Sequence, residues 1–522
     1  MIKVVVVLIC LTSLLSAGTA AFSASAAKKL PVATTQQPAL VDAVKDATYV
    51  GSQTCKKCHS RQHAEWSQTW HANMHRVISP DMVVADFDSK EITYKDIEIA
   101  DSAGAKVKIS PTVGVHREGD KFLMTLLDKD NAANNQTYEM TYVLGGNWNQ
   151  HFEAKIGNRL YATPMRWEVA DMQWFNKQFN DFWWVVDGTA DGRPKKPSEM
   201  PINQVGDAKC DSCHTTGFKT AKDKTSGEWI AQKSELGISC EVCHGPGSKH
   251  AQRGSKAAVV NPLNLSAAQQ DQLCGQCHSR VTNKHIKDIS FPQDFFIGNT
   301  DLQDRVTVWT FQSNPESFWP NGDAKRNRQQ YQDIQKSGHA KGGVTCITCH
   351  DVHSSKKGYG QVRGSKQELC ASCHTQSADF YRGSAMAKAG TTCADCHMAK
   401  IATRSGATKK AKDHWDASAH TMKVYLPQAA AASKMKSSCD ACHTEGALDK
   451  KGTELLSKQS AVKAKIDEVK TALAEYEKKG KNARKARKAQ SLLDAVLTDG
   501  SGGAHNPDRA MALLTDALKQ AK

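Results

Sequence analysis

The sequence predicts a mainly α chain with a small antiparallel β unit near the N-terminus and a helical C-terminal tail. Three observations predict it. The pattern Cys-x-x-Cys-His occurs eight times in 522 residues. A motif-free stretch, roughly residues 83–190, alternates as strands do. Near the end, apolar residues recur every three or four positions, the period of a helix.

The chain opens with MIKVVVVLICLTSLLSAG and reaches Ala-Ser-Ala near residue 26. One lysine, a short apolar run and small residues read as a secretory signal over 1–26. The run is too short to span a membrane, which takes about 20 residues, and nothing later looks transmembrane. The expectation is an exported chain, periplasmic or on the cell surface. A linker over 27–47 leads to a first motif segment over 48–82.

Beyond Cys10 in the signal, every cysteine belongs to a pair: Cys55/Cys58, Cys210/Cys213, Cys240/Cys243, Cys274/Cys277, Cys346/Cys349, Cys370/Cys373, Cys393/Cys396 and Cys439/Cys442. A histidine follows each: His59, His214, His244, His278, His350, His374, His397 and His443. Exported cysteines usually form disulfides, and zinc ribbons or redox dithiols also use Cys-x-x-Cys. None of these requires a histidine next, eight times in eight. The pattern is the attachment signature of c-type haem. Two thiols bond the two vinyl groups, and the adjacent imidazole sits under the iron. The expected cofactors are eight covalently attached haem c groups.

The formal charge of +15 is reduced by two propionates per haem. Basic residues alone are no nucleic-acid footprint, so no nucleic-acid partner is expected. Hydrophobic residues are 39% of the chain, and haems stacked in the core supply part of the interior.

The motif-free stretch contains KDIEIADSAGAKVKIS, DKFLMTLLDKD, QTYEMTYVLGG and HFEAKIGNRLYATPMRWEV. They predict a β-rich unit over 83–195, with Trp148, Trp167, Trp174, Trp183 and Trp184 mostly in its own core. Seven motifs then crowd 196–445. Over 446–522, Val462, Ile466, Val469, Leu473 and Tyr476 mark an amphipathic helix. The basic run KKGKNARKARKAQ reads as a solvated face, with docking to an acidic partner as the alternative. Asn506 and Pro507 cap and open a last helix.

Each iron has one further position. A second histidine there makes the haem an electron carrier; an open position admits a substrate. Twelve other histidines compete for these positions. His71 and His75 lie one helical turn apart and share a face. His250, His339, His353, His420 and His505 are further candidates, and His285 is evenly balanced. His63, His116, His151 and His414 are weaker. His339 and His353 flank one motif and cannot both serve it, so they are expected to reach neighbouring haems. Their segment, SGHAKGGVTCITCHDVH, aligns without gaps with SAMAKAGTTCADCHMAK. In the copy, Met386 and Lys400 replace them. Met386 reads as a packed methionine, with thioether ligation of a haem as the alternative. The haem at His397 is the best suspect for an open position.

The residues resemble the multihaem cytochrome c superfamily, with its tetrahaem carriers, pentahaem nitrite reductases, and octahaem hydroxylamine oxidoreductases and tetrathionate reductases. CKKCHSRQHAEWSQTWHA is similar to the family's first haem segment, whose distal histidine falls on His71. CEVCHGPGSKH is similar to a motif ending in the ligand His250. GHAKGGVTCITCHDVH and CADCHMAK resemble the nitrite-reductase branch, and AHNP implies a late distal ligand at His505. The resemblance implies parallel and perpendicular haem pairs in a helical shell. All eight motifs end in histidine, whereas those nitrite reductases hold the catalytic haem on Cys-x-x-Cys-Lys. No cross-linked tyrosine is identifiable, so no catalytic residue carries over.

The sequence therefore favours electron transfer between redox partner proteins, a quinol-linked donor or a terminal acceptor. A reductase of nitrite, hydroxylamine or tetrathionate with one open haem stays open. So does a homo-oligomer that polymerises as an extracellular conduit.

Overall fold

The computed structural model describes residues 44–522 apart from 45, 89, 102, 158, 177–182, 188–191, 201–209, 226, 228, 287–288, 298–299, 355–359, 404–414, 444 and 481. The signal, most of the linker and His414 lie outside the described residues.

The alternating stretches form strands. They are β1 (His75–Val77), β2 (Lys90–Thr93), β3 (Ile97–Ala100), β4 (Lys106–Ile109), β5 (Thr112–Glu118), β6 (Lys121–Leu127), β7 (Gln136–Gly145), β8 (Asn149–Ile156), β9 (Arg159–Glu168) and β10 (Gln173–Asn176). β3 and β4 pair with each other; the rest build one antiparallel sheet in the order β10-β9-β8-β7-β6-β5-β2. β7 pairs β6 along its first half and β1 along its second. That pairing ties the sheet to the first motif segment, because β1 begins four residues after His71.

Period-2 alternation buries one face. Val113, Val115, Phe122, Met124, Leu126, Met140 and Phe152 are sealed from solvent, with Phe87 wedged among Phe122, Phe152 and Trp174. Trp167, Trp174, Trp183 and Trp184 lie in this core. The buried Gln150 side chain accepts from the backbone N–H of Val84 (2.9 Å) and Ala85 and donates to the Met82 carbonyl (2.7 Å), fixing the incoming strand.

The mainly α expectation does not hold. The chain is 39% helix and 21% strand, and the N-terminal sheet is large rather than small. The reason is physical. A Cys-x-x-Cys-His motif needs only one helical turn, so the motif-rich region contributes helices such as Cys240–His244 and Cys346–Cys349. The strands, by contrast, run up to ten residues.

Three longer helices close the chain: Glu445–Lys478, Ala483–Asp499 and Pro507–Ala521. Val462, Ile466, Val469 and Leu473 pack on Leu493, Val496, Leu514 and Phe380, which belongs to the motif region. Asn506 caps the last helix by accepting from the Arg509 N–H at 3.2 Å. No described helix is long and apolar enough to cross a membrane.

Candidate haem-binding chain

Each motif is a single turn. The backbone N–H of His59, His278, His350 and His374 donates to the carbonyl of the motif's first cysteine, four residues back, at 2.9 Å. That turn puts the first thiol and the imidazole on one side, as the attachment chemistry requires.

Six motif histidines face a second histidine ring. The pairs are His59–His250 (centroids 6.2 Å apart), His278–His71 (6.2 Å), His244–His353 (6.1 Å), His374–His339 (5.8 Å), His350–His420 (6.4 Å) and His397–His505 (6.1 Å). Two imidazoles bound to opposite faces of one metal, with bonds of about 2 Å, hold their ring centres roughly 6 Å apart. The donor sets therefore fit iron between each pair. His339 and His353, which flank one motif, face two different ones. His397, suspected from sequence of an open position, faces His505. His71 is served by its backbone too: the Ile238 N–H donates to its carbonyl at 2.8 Å. Gly237 allows this approach, with φ +72° and no room for a Cβ beside the Ala72 carbonyl.

The outer nitrogens are fixed. Nδ1 of His244, His350, His397, His420 and His250 lies against the carbonyls of Val260 (2.7 Å), Gly360 (2.6 Å), Met422 (3.1 Å), Ser418 (3.0 Å) and Ser255 (2.9 Å). Donation from Nδ1 leaves Nε2 as the lone-pair nitrogen for a metal. His505 instead meets a carboxylate, Asp499 Oδ1 at 2.7 Å. Burial pushes His278 and His420 down to about 4, so both are neutral, the form that binds metal.

The thiols trace a path. Cys55 touches Cys240, Cys213 touches Cys277, Cys274 touches Cys346, and Cys370 touches Cys393. Burial first, and then a neighbouring thiol, pushes up Cys243 (near Cys274), Cys349 (near Cys373) and Cys396 (near Cys439 and Cys442). The motifs thus follow one another from the first through the third to the eighth, and the second branches off at the fourth. Buried Glu241, inside the third motif, accepts from the N–H of Val50 (2.9 Å), Gly51 (2.8 Å) and Gly247 (2.8 Å), locking the first motif to the third.

Cys58 is the second thiol of the first motif. Its backbone keeps the motif turn, with the N–H donating to the Cys55 carbonyl at 3.2 Å. Yet Cys58 is exposed, and so are its neighbours Lys56, Lys57, His59 and Ser60. Cys442, in the motif that ends the path, is exposed as well, as is Cys373. Cys213, in the branching second motif, is buried.

His75 stands elsewhere. Its Nε2 is 3.1 Å from Glu153 and its Nδ1 3.2 Å from Asp211, all three sealed from solvent. Lys233 pairs with the other Asp211 oxygen. A histidine with a carboxylate at each nitrogen has no lone pair directed at iron, and His75 faces no motif histidine. Burial alone would lower His75, but Asp211 and Glu153 outweigh it and raise its pKa to about 9. Burial holds Glu153 above the usual carboxylate range; at Asp211, His75 and Lys233 outweigh burial and lower it. This cluster adjoins the second motif, since Asp211 follows Cys210. His285 is exposed in a turn after Val281–Asn283 and faces no motif histidine. His63 lies beside Trp66, and His116 beside Glu118.

Sequence reading missed Glu153, Asp211, Lys233 and Asp499. Asp211 had a signal, an acid inside a haem motif. Glu153 is on a half-alternating strand, and its partners follow only from three-dimensional pairing.

Three family models match parts of the chain: the doubled CXXCH motif over 338–379, cytochrome c552 over 366–522, and cytochrome c554 and c-prime over 54–103 and 184–245. The dissimilatory sulfite reductase MccA of Wolinella succinogenes is 24% identical over 67% of this chain and 50% of its own length. The multiheme cytochrome MtrA of Shewanella baltica is 28% identical over 41% of this chain and 50% of its own. The chain thus spans about half the length of the curated relatives it matches. The solved outer cell wall cytochrome OcwA has a similar fold, with a TM-score of 0.66 and 24% identity over 91% of this chain and all of its own.

Proposed function

We propose that this chain, which belongs to the multihaem c-type cytochrome superfamily, holds eight covalent haem c groups and passes electrons along them between redox partner proteins. One observation carries the reading: six motif histidines face a second histidine at an iron-spanning distance. Bound haem iron supplies reversible one-electron chemistry.

The chain's own residues do the rest. The motif cysteines tether each group. At six motifs the paired imidazoles would hold the iron between them and so exclude substrates there. Because His250, His353, His71 and His339 each come from the segment of another motif, those four pairs also staple two motifs together. The thiol contacts keep successive groups adjacent, which supports transfer along one path. The first and eighth motifs stand at its two ends, where partners would exchange electrons. Asp499, against His505 Nδ1, makes that imidazole a stronger donor and favours the oxidised form of its haem. The leader over 1–26 supports export, to the periplasm or the cell surface. The location in OcwA's name accords with that. A quinol-linked donor and a terminal acceptor are the partner classes proposed.

A second reading has a specific observation. The buried His75–Glu153–Asp211 cluster, with half-buried Lys233 against it, sets acid and base groups beside the second motif, on the branch of the path. A haem there with a substrate position would make the chain a reductase of a small oxyanion; sulfite, named for MccA, joins nitrite and hydroxylamine as a candidate.

Haem analysis and protein-film voltammetry separate the two. The expected result is eight haems per chain and a broad reversible wave unchanged by nitrite, hydroxylamine or sulfite. A catalytic current with any of them replaces the conduit by the reductase.

A further inference from the structure

The two aligned segments, residues 337–353 and 384–400, repeat in structure as well as in sequence. Ser337 and Ser384 each cap a one-turn helix, Gly338–Lys341 and Ala385–Lys388, by accepting from the N–H of Ala340 (3.3 Å) and Ala387 (3.1 Å). Val344 N–H donates to the His339 carbonyl at 3.0 Å, and Thr391 N–H to the Met386 carbonyl at 3.1 Å. Gly343 and Gly390 make the same left-handed turn, with φ +77° and +82°. Each copy then docks the same way. The Cys346 N–H and thiol reach Asp271 at 3.0 and 3.1 Å, three residues before Cys274. The Cys393 N–H and thiol both reach Gln367 at 3.2 Å, three residues before Cys370. Each copy also hands on to the motif that follows: Cys349 to Cys373, and Cys396 to Cys439 and Cys442.

In the first copy, His339 faces the histidine of that following motif, His374, at 5.8 Å. The equivalent residue of the second copy is Met386, and the following motif is Cys439/Cys442/His443. Among the described residues, no histidine ring stacks on His443. Met386 is an exposed large hydrophobic, which suits a thioether that a porphyrin would cover.

The other replacement behaves differently. His353 faces His244, of the motif before the one its copy docks on. The same step in the second copy points Lys400 at His350. But His350 already faces His420, and Lys400 pairs with Ser418 two residues away. That missing histidine is supplied from elsewhere; among the described residues, the one at Met386 is not.

From this repeat we infer that the Met386 thioether is the sixth ligand of the haem on Cys439/Cys442, opposite His443. The inference rests on the proposed attachment of a haem at that motif. A thioether favours ferrous iron more than an imidazole does. The eighth haem then has the highest potential of the chain and forms its electron-accepting end, next to the haem whose His505 is backed by Asp499.

The test uses the full-length holoprotein. Pyridine haemochrome analysis first counts haems, and the ferric spectrum is searched for the near-infrared sulfur-to-iron charge-transfer band. The expected wild type has eight haems and a band of about one haem's intensity. M386L loses the band and gains one high-spin haem. M386H loses it, stays low-spin and lowers the potential of one haem. Eight haems with no band in wild type, or a band that survives in M386L, overturns the inference. Seven haems with Cys439 and Cys442 as free thiols overturns the attachment reading, and the ligand assignment falls with it.

Discussion

The β unit and the motif region hold themselves together in different ways. In the β unit, aromatic and aliphatic side chains from neighbouring strands form one continuous core. In the motif region, buried hydrophobics are split into small groups, such as Val260, Leu265, Leu273 and Ile297, or Val281, Leu302, Val306 and Tyr331. The β unit carries its interior in its sequence. On the proposed reading the motif region closes around a cofactor, and its histidine pairs would act as cross-braces through a metal. Hydrophobic burial and the proposed metal ligation would thus be spatially separated means of folding in one chain.

The largest expected effect breaks the two regions apart. Expressed without haem attachment, the chain should lose the motif region to limited proteolysis while a fragment near 83–200 persists. Mass spectrometry of the surviving fragments checks this; equal digestion of both regions would remove the contrast. Phe152→Ala attacks the other side. Phe152 is sealed between Phe87 and Trp174, and its loss should cost about 3–5 kcal/mol. Thermal unfolding should show that drop, with the haem spectrum unaltered.

The ion-paired cluster joins the two regions, and pH should loosen it. The His75 pKa of about 9 lies above its ordinary 6.5. Its stabilisation is therefore complete below about 6.5 and lost as pH rises through about 9, by up to about 3 kcal/mol. Denaturation midpoints from pH 6 to 10 should fall in wild type and stay flatter in His75→Gln. The smallest effect is Asn506→Ala. Losing that cap should cost about 1 kcal/mol, read by urea unfolding, and leave every haem low-spin.

Much of this was legible in the sequence where chemistry imposes a fixed spacing. Cys-x-x-Cys-His is a covalent requirement, so haem c binding could be read directly from the motifs. The amphipathic stripe from Val462 to Leu473 and the Asn506–Pro507 helix start were legible because a helix is a local structure. The size of the sheet was not, because strand pairing joins residues as far apart as His75 and Leu144. Distal positions were legible only in part, for the same reason. His71 and His75 share a helical spacing, yet the chain turns into β1 between them. That turn sends one ring toward His278 and the other between two carboxylates.

The central claim is that paired axial ligands close the irons to substrates. Electron paramagnetic resonance of the oxidised holoprotein tests it most directly. The account predicts low-spin signals alone, unchanged by nitrite, hydroxylamine or sulfite. A high-spin signal of about one haem in eight that shifts with any of them would contradict it and point to the second motif, beside His75, Glu153 and Asp211.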